Sequence, residues 1–224
     1  MASDRSVPPV VAVVVTRQPA PWLEETLNAV GAQDYPNLSV IVVDAGAAST
    51  PGPDLASRVA AALPGAYLRG MAQPASWGAA ANEVIGVVDG ASHYLLCHDD
   101  VAPDPQALRL MVEEAFRSNA GIVTPKLVDW DDQRRLLAVG ASVDRVGALQ
   151  PLVERGELDQ GQHDAARDVF VAPGGAVLVR ADLFEALGGY DASVPAGGEN
   201  LDLSWRALLA GARVRAAPST TRAR

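Results

Sequence analysis

The chain has 224 residues, 27 acidic against 18 basic side chains, a formal net charge of -9 and an isoelectric point near 4.7. That acidic excess argues against a nucleic-acid partner, because phosphate backbones are gripped by basic surface, while a nucleotide held through a divalent cation stays compatible. With 49% hydrophobic and 20% charged residues, the length suits one α/β domain with a substantial core, and the composition excludes disordered, collagenous and membrane-spanning classes.

Val10-Val11-Ala12-Val13-Val14-Val15 is a short β-branched run of the kind a strand shows when a parallel sheet covers both its faces. It falls far short of the roughly 20 apolar residues a membrane helix needs, and it lacks the leader and cleavage site of a signal peptide, so a cytoplasmic segment is expected. A helix is predicted from Pro21, with Glu24 and Glu25 in its first turn and Leu23, Leu27 and Val30 on one face, where carboxylates suit the helix dipole.

Leu38 to Val43 repeats the buried-strand pattern and stops at Asp44-Ala45-Gly46. Pro51 and Pro53 then break the chain before an alanine-rich helix ending near Leu63. Two strand-helix units in succession imply a parallel sheet with right-handed crossovers. A third helix is expected from Trp77 to Val88, capped by Ser76.

His93 to Cys97 reads as another strand, running into His98-Asp99-Asp100. Cys97 is the single cysteine, which excludes an internal disulfide and a cysteine-rich zinc site. Asp104-Pro105 is a good cap and first residue for a helix carrying Leu108, Met111, Val112 and Phe116. Ile122 to Thr124 reads as a strand closed by Pro125. From Lys126 to Asp168 the periodicity fades: Leu136 to Val146 is expected to be extended and Pro151 to Arg167 a mobile loop. Val169 to Ala172, Ala176 to Arg180, a short helix over Ala181 to Leu187 and a helix over Glu199 to Ala210, ended by Gly211, restore order. Pro218 to Arg224 reads as a frayed tail or a cut inside a longer protein.

Ligand crevices of open parallel sheets lie at the carboxyl ends of the strands, which singles out Asp44 and His98-Asp99-Asp100. Asp44 beside Ala45-Gly46 suits contact with a base or ribose, or simply a turn. Two adjacent aspartates after a buried strand offer hard oxygen ligands for Mg2+ or Mn2+, and a metal bridging diphosphate oxygens neutralises a leaving nucleotide. Glu199 and Asp202 are three apart and share a helix face behind Gly197-Gly198; taken alone, they read as dipole-favoured acids at a helix start.

In this order the pieces resemble glycosyltransferase family 2. The likeness runs from about Val10 to Val214 and rests on Val11 to Thr16, Leu27 and Gln33-Asp34-Tyr35-Pro36; Ile41-Val42-Val43-Asp44; Trp77-Gly78 with Asn82; His98-Asp99-Asp100 with Pro103; and Gly188-Gly189-Tyr190-Asp191 leading to Glu199-Asn200-Leu201-Asp202-Leu203-Ser204-Trp205-Arg206. The resemblance implies a GT-A type, Rossmann-like three-layer α/β sandwich with a mostly parallel central sheet. It implies one domain over residues 1–224, with room for membrane segments in a longer parent chain of which this is the N-terminal part. It also implies an inverting enzyme that moves a sugar from a nucleotide sugar to a hydroxyl acceptor.

By the same resemblance Thr16, Asp44 and Asn82 belong to the nucleotide-sugar site, Asp99 contacts the ribose or diphosphate, and Asp100 holds the metal at the last position of the family's Asp-x-Asp motif, whose first place is His98 here. The family's second acid near the acceptor is its general base, and this chain has Asn200 there; an amide cannot take that proton at neutral pH. Either Glu199 or Asp202 takes the role, or the domain binds donor and transfers poorly. The family's histidine metal ligand after the last strand has no counterpart past His163. The implied acceptor is a cell-envelope or lipid-linked glycan at the cytoplasmic face of the plasma membrane, and the residue usage resembles actinobacterial enzymes.

Overall fold

The structure, a computed structural model, describes residues 7–46 and 50–224. Strands β1 (Val10–Thr16), β2 (Leu38–Asp44), β3 (Tyr67–Gly70) and β4 (His93–His98) alternate with helices α1 (Leu23–Gly31), α2 (Pro53–Ala62) and α3 (Trp77–Ala81), the last tightening into a 3-10 turn over Asn82–Gly86. Then come β5 (Val101–Pro103), α4 (Ala107–Ser118), β6 (Ala120–Asp129), β7 (Leu136–Ala138), β8 (Ala141–Val143), β9 (Leu149–Pro151) and β10 (Arg167–Asp168). β11 (Ala176–Arg180), α5 (Ala181–Ala186), α6 (Glu199–Leu209) and β12 (Arg213–Ala223) follow.

The main sheet runs β3-β2-β1-β4-β11-β6-β12-β10, with β5 beside β12 and β7 beside β6. Pairing is parallel from β3 to β4 and between β6 and β12, and antiparallel where β11 meets β4 and β6. β1 is buried along its whole length because both its faces are covered. Val11, Val13 and Val15 pack with Ala80, Val84, Phe184 and Leu203, while Val10, Ala12 and Val14 pack with Leu23, Leu27, Val59 and Met111. Helices therefore lie on both faces, and each fully buried Leu, Val or Phe side chain contributes roughly 1.5–3 kcal/mol by leaving water.

Several expectations are corrected. α1 starts at Leu23, two residues after Pro21. The helix after Ser76, whose Oγ does cap Ala79 N–H at 3.2 Å, stops at Ala81 rather than Val88, and Asn82 at that break is drawn to Tyr190, as described below. α4 starts at Ala107, not Pro105. Its first turn is held by buried Gln33, whose Oε1 accepts Leu108 N–H at 2.9 Å while Nε2 donates to the carbonyls of Ala29, Pro103 and Asp104 at 3.0, 3.3 and 2.9 Å. Phe116 is 59% exposed, off the core face.

Pro125 does not close its strand. β6 runs on to Asp129, and opposite Pro125, which lacks a ladder N–H, β12 shifts register between Ala216 and Thr220. The stretch read as a mobile loop is pinned: Lys126 Nζ, itself buried, pairs with Asp159 at 2.5 Å and Asp164 at 2.6 Å, and His163 meets Glu157 at 3.0 Å. Pro218 to Arg224, read as a frayed tail, is strand up to Ala223. No helix among the described residues is long and apolar enough to cross a membrane.

Candidate functional site

Because β1, β2 and β4 run parallel, their carboxyl ends finish level, with Thr16 opposite Asp44 and Val15 opposite His98. Thr16 is buried at the end of β1, and its Oγ1 donates to Asp99 Oδ2 at 2.6 Å; the Thr26 hydroxyl on α1 donates to the Asp99 carbonyl at 3.0 Å. The turn after β4 is thus held by a strand on one side and a helix on the other. Burial pushes the Asp99 carboxyl up from its ordinary value, and the Thr16 bond offsets part of that.

Asp44 is buried at the end of β2, and its Oδ1 accepts Gly46 N–H at 3.0 Å. A Cβ at Gly46 would lie 2.3 Å from the Arg17 carbonyl oxygen, so this close approach of two loops requires glycine. Asp100 is half-buried, and its carboxylate carries neither a hydrogen bond nor an ion pair among the described residues. No three His, Cys, Asp or Glu side chains among the described residues are grouped to hold a metal. That donor set still fits Mg2+ or Mn2+, which are commonly bound by one or two carboxylates completed by substrate phosphates rather than by an all-protein cage.

A second wall of the crevice comes from α3, α6 and the turns before α6. Trp77 stacks on His98 with ring centres 4.4 Å apart, and Tyr190 meets Trp77 edge-on at 5.3 Å. Tyr190 OH donates to Asn200 Oδ1 at 3.0 Å. Glu199 is buried, and its Oε2 accepts Gly197 N–H at 2.6 Å. Gly78 admits this packing, since a Cβ there would sit 3.0 Å from the Tyr190 Cβ and 3.5 Å from the Glu199 Cγ. A Cβ at Gly174 would meet Asn200 Nδ2 at 3.1 Å and His98 Nε2 at 3.8 Å. Burial pushes the His98 imidazole down, while Asp100, Asp99 and Glu199 pull it the other way.

The residues singled out in the sequence fall into three places. Thr16, Asp44, Asp99 and Asp100 gather at the strand ends, and Glu199 joins them through His98. Asn82 and Asp202 stand behind the wall. The Asn82 amide donates to the Tyr190 carbonyl and accepts the Tyr190 N–H, both at 2.8 Å. Asp202 Oδ2 accepts from Arg206 Nε at 2.8 Å and Nη2 at 2.5 Å, and Arg206 in turn binds the carbonyls of Leu187 and Gly189. Gly174 and Gly175 were passed over in the sequence. Their signal is Pro173-Gly174-Gly175, and Gly175, at φ +104°, accepts the His98 N–H at 2.9 Å.

Residues 8–222 match a family model described as Glycosyltransferase like family 2. Among solved structures the chain is similar to GalNAc-T7, crystallised with UDP, GalNAc and Mn2+: the TM-score is 0.76 at 12% identity, over 98% of this chain and 44% of that one. It is also similar to the mannosyltransferase PcManGT from Pyrobaculum calidifontis, in complex with GDP-Man and Mn2+, with a TM-score of 0.65 at 21% identity over 92% of this chain and 54% of that one. The chain spans about half the length of these structures. No curated protein sequence matches it. At such identities the likeness gives the fold, which is of the GT-A type.

Proposed function

The chain belongs to glycosyltransferase-like family 2, and on that premise we propose that it moves a sugar from a nucleoside diphosphate sugar to a hydroxyl acceptor with inversion at the anomeric carbon. The observation that supports this best is the meeting of two acidic sets on one crevice: Asp99-Asp100 at the end of β4 and Glu199 at the start of α6, joined by the stack of Trp77 on His98.

In this reading Thr16 and Asp44 bound the nucleoside pocket at the ends of β1 and β2. Asp99, held by Thr16, faces the ribose or diphosphate. Asp100 has the carboxylate left over to hold Mg2+ or Mn2+ with the diphosphate oxygens, and such a cation, when bound, neutralises the departing nucleotide; both similar structures contain Mn2+ with a nucleotide or nucleotide sugar. Glu199 takes the proton of the acceptor hydroxyl as that oxygen attacks the anomeric carbon from the face opposite the diphosphate. Gly197 N–H occupies one oxygen of Glu199 and fixes the aim of the other. Asp202 is tied to Arg206, so it positions the turn at Gly189 rather than serving as base, and Asn82 anchors Tyr190 at the edge of the donor site.

The acceptor class, a cell-envelope or lipid-linked glycan at the cytoplasmic face of the plasma membrane, rests on the family resemblance alone, as does the reading of residues 1–224 as one domain of a longer protein. A second reading, a domain that binds donor and transfers little, is favoured by Asn200 standing where the family has its second acid. Metal-dependent hydrolysis of a nucleotide sugar decides between them. Slow release of nucleoside diphosphate with Mn2+, lost in Asp100→Ala and in Glu199→Gln, is the outcome expected of a transferase. Donor binding without turnover in any acceptor or hydrolysis assay, together with a large gain on Asn200→Asp, would support the second reading.

A further inference from the structure

An acidic turn at the mouth of a site repels a diphosphate unless cations stand beside it. β12 supplies them. It pairs antiparallel with β5, Ala223 against Val101 and Arg222 against Ala102, and continuing that register sets Arg224 beside Asp100. The Arg224 guanidinium lies over two indoles, 4.7 Å from the ring centre of Trp22 and 5.2 Å from that of Trp130, and Arg222 lies over Trp130 at 5.2 Å. Trp22 immediately precedes α1, four residues before Thr26, whose hydroxyl holds the Asp99 carbonyl. The aromatic cage and the Asp99-Asp100 turn therefore share one lip of the sheet.

The cage leaves the side chain of Arg224 only 34% exposed, so the guanidinium plane is set before any ligand arrives. Its hydrogen-bonding edge is weakly used. The one carboxylate it touches among the described residues, Asp131, lies 3.3 and 3.4 Å away and is 78% exposed, a long and solvated contact that an incoming anion can replace. A stacked, planar fork with replaceable contacts is suited to phosphate oxygens, which it can take two at a time.

We propose that Arg224, clamped between Trp22 and Trp130, is a diphosphate-binding residue of the donor site, exchanging Asp131 for diphosphate oxygens when donor binds. This rests on the reading of the crevice as a nucleoside diphosphate sugar site. It adds a protein cation on the flank of Asp100, supplied by the last strand.

Titration calorimetry of the full chain with UDP and GDP, and with uridine and guanosine, in Mn2+ buffer tests it. Arg224→Ala should weaken the diphosphate that binds by on the order of tenfold to a hundredfold, the range of a hydrogen bond to a charged group, and leave nucleoside affinity unchanged. Arg224→Lys, which keeps charge but not the fork or the stacking, should recover only part of the loss. Wild-type protein that binds a diphosphate which Arg224→Ala binds equally well would overturn the clamp alone, and so would equal losses for nucleoside and diphosphate. If wild-type protein binds no diphosphate at all, the donor-site reading itself is wrong, and the clamp falls with it.

Discussion

Asp99 and Asp100 are neighbours with different surroundings, and the tasks proposed for them divide accordingly. Asp99 is committed to Thr16 and shifted upward by burial, whereas the Asp100 carboxylate has no hydrogen bond or ion pair among the described residues. Asp100→Ala should therefore remove the Mn2+ dependence of nucleotide binding, read as the difference in diphosphate affinity with and without metal; an unchanged difference would assign the metal to other groups. Glu199 and Asp202 divide in the same way, because only Asp202 is tied to an arginine. With Glu199 as base, Glu199→Gln should lower turnover by on the order of 10²–10⁴-fold with donor affinity unchanged, whereas Asp202→Asn should act mainly on thermal stability. Equal losses of turnover in the two variants would contradict the assignment. Strand-end placement made Asp44, Asp99 and Asp100 legible in the sequence. The stack of Trp77 on His98 and the approach of Gly174 to Asn200 were not, since each joins residues that only the fold brings together.

The strands β1, β2 and β4 were legible because their middle positions, buried on both faces, form unbroken apolar runs, Val10 to Val15, Val40 to Val43 and Tyr94 to Cys97. β12 was hidden for the opposite reason. Its second half alternates correctly, with Ser219, Thr221 and Ala223 turned inward and Pro218, Thr220 and Arg222 outward, but the inward places carry small or hydroxyl side chains, so burial shows no hydrophobic period. β3 and β5, of four and three residues, are too short to show any period. The start of α4 was misplaced because its cap is Gln33, 75 residues earlier in the chain, where local capping rules do not look. Gln33→Leu keeps a side chain of similar length but strips four hydrogen bonds from buried and part-buried backbone groups. It should cost about 2–4 kcal/mol in urea denaturation, and a loss below about 0.5 kcal/mol would mean that water replaces the amide.

Across the whole molecule, the end of the sheet opposite the crevice carries its own titration. His93, at the start of β4, is 4% exposed, and burial pushes its imidazole down to about 4, with Arg180 adding to the effect and Asp182 opposing it. The unfolded chain takes up that proton near pH 6.5 and the folded one does not. Stability from this residue is thus constant above pH 6.5 and falls as pH drops toward 4, by on the order of 3 kcal/mol. The stability advantage of wild-type protein over His93→Asn should shrink between pH 7 and pH 4.5; an advantage independent of pH would show that His93 takes up its proton at the same pH in the folded and the unfolded chain.

The same sheet gathers at its other end everything the functional reading needs: strand ends for a nucleoside, an acidic turn for metal and diphosphate, and a buried glutamate for the acceptor. The most direct test is a thermal-shift panel of nucleotide sugars and nucleoside diphosphates, with and without Mn2+, on wild-type protein and Asp100→Ala. The expected result is stabilisation of the wild type by at least one of them, larger with Mn2+, and loss of the Mn2+ increment in Asp100→Ala. No shift with any nucleotide in the presence of Mn2+, or an increment that survives Asp100→Ala, would contradict a metal-assisted donor site at the end of β4.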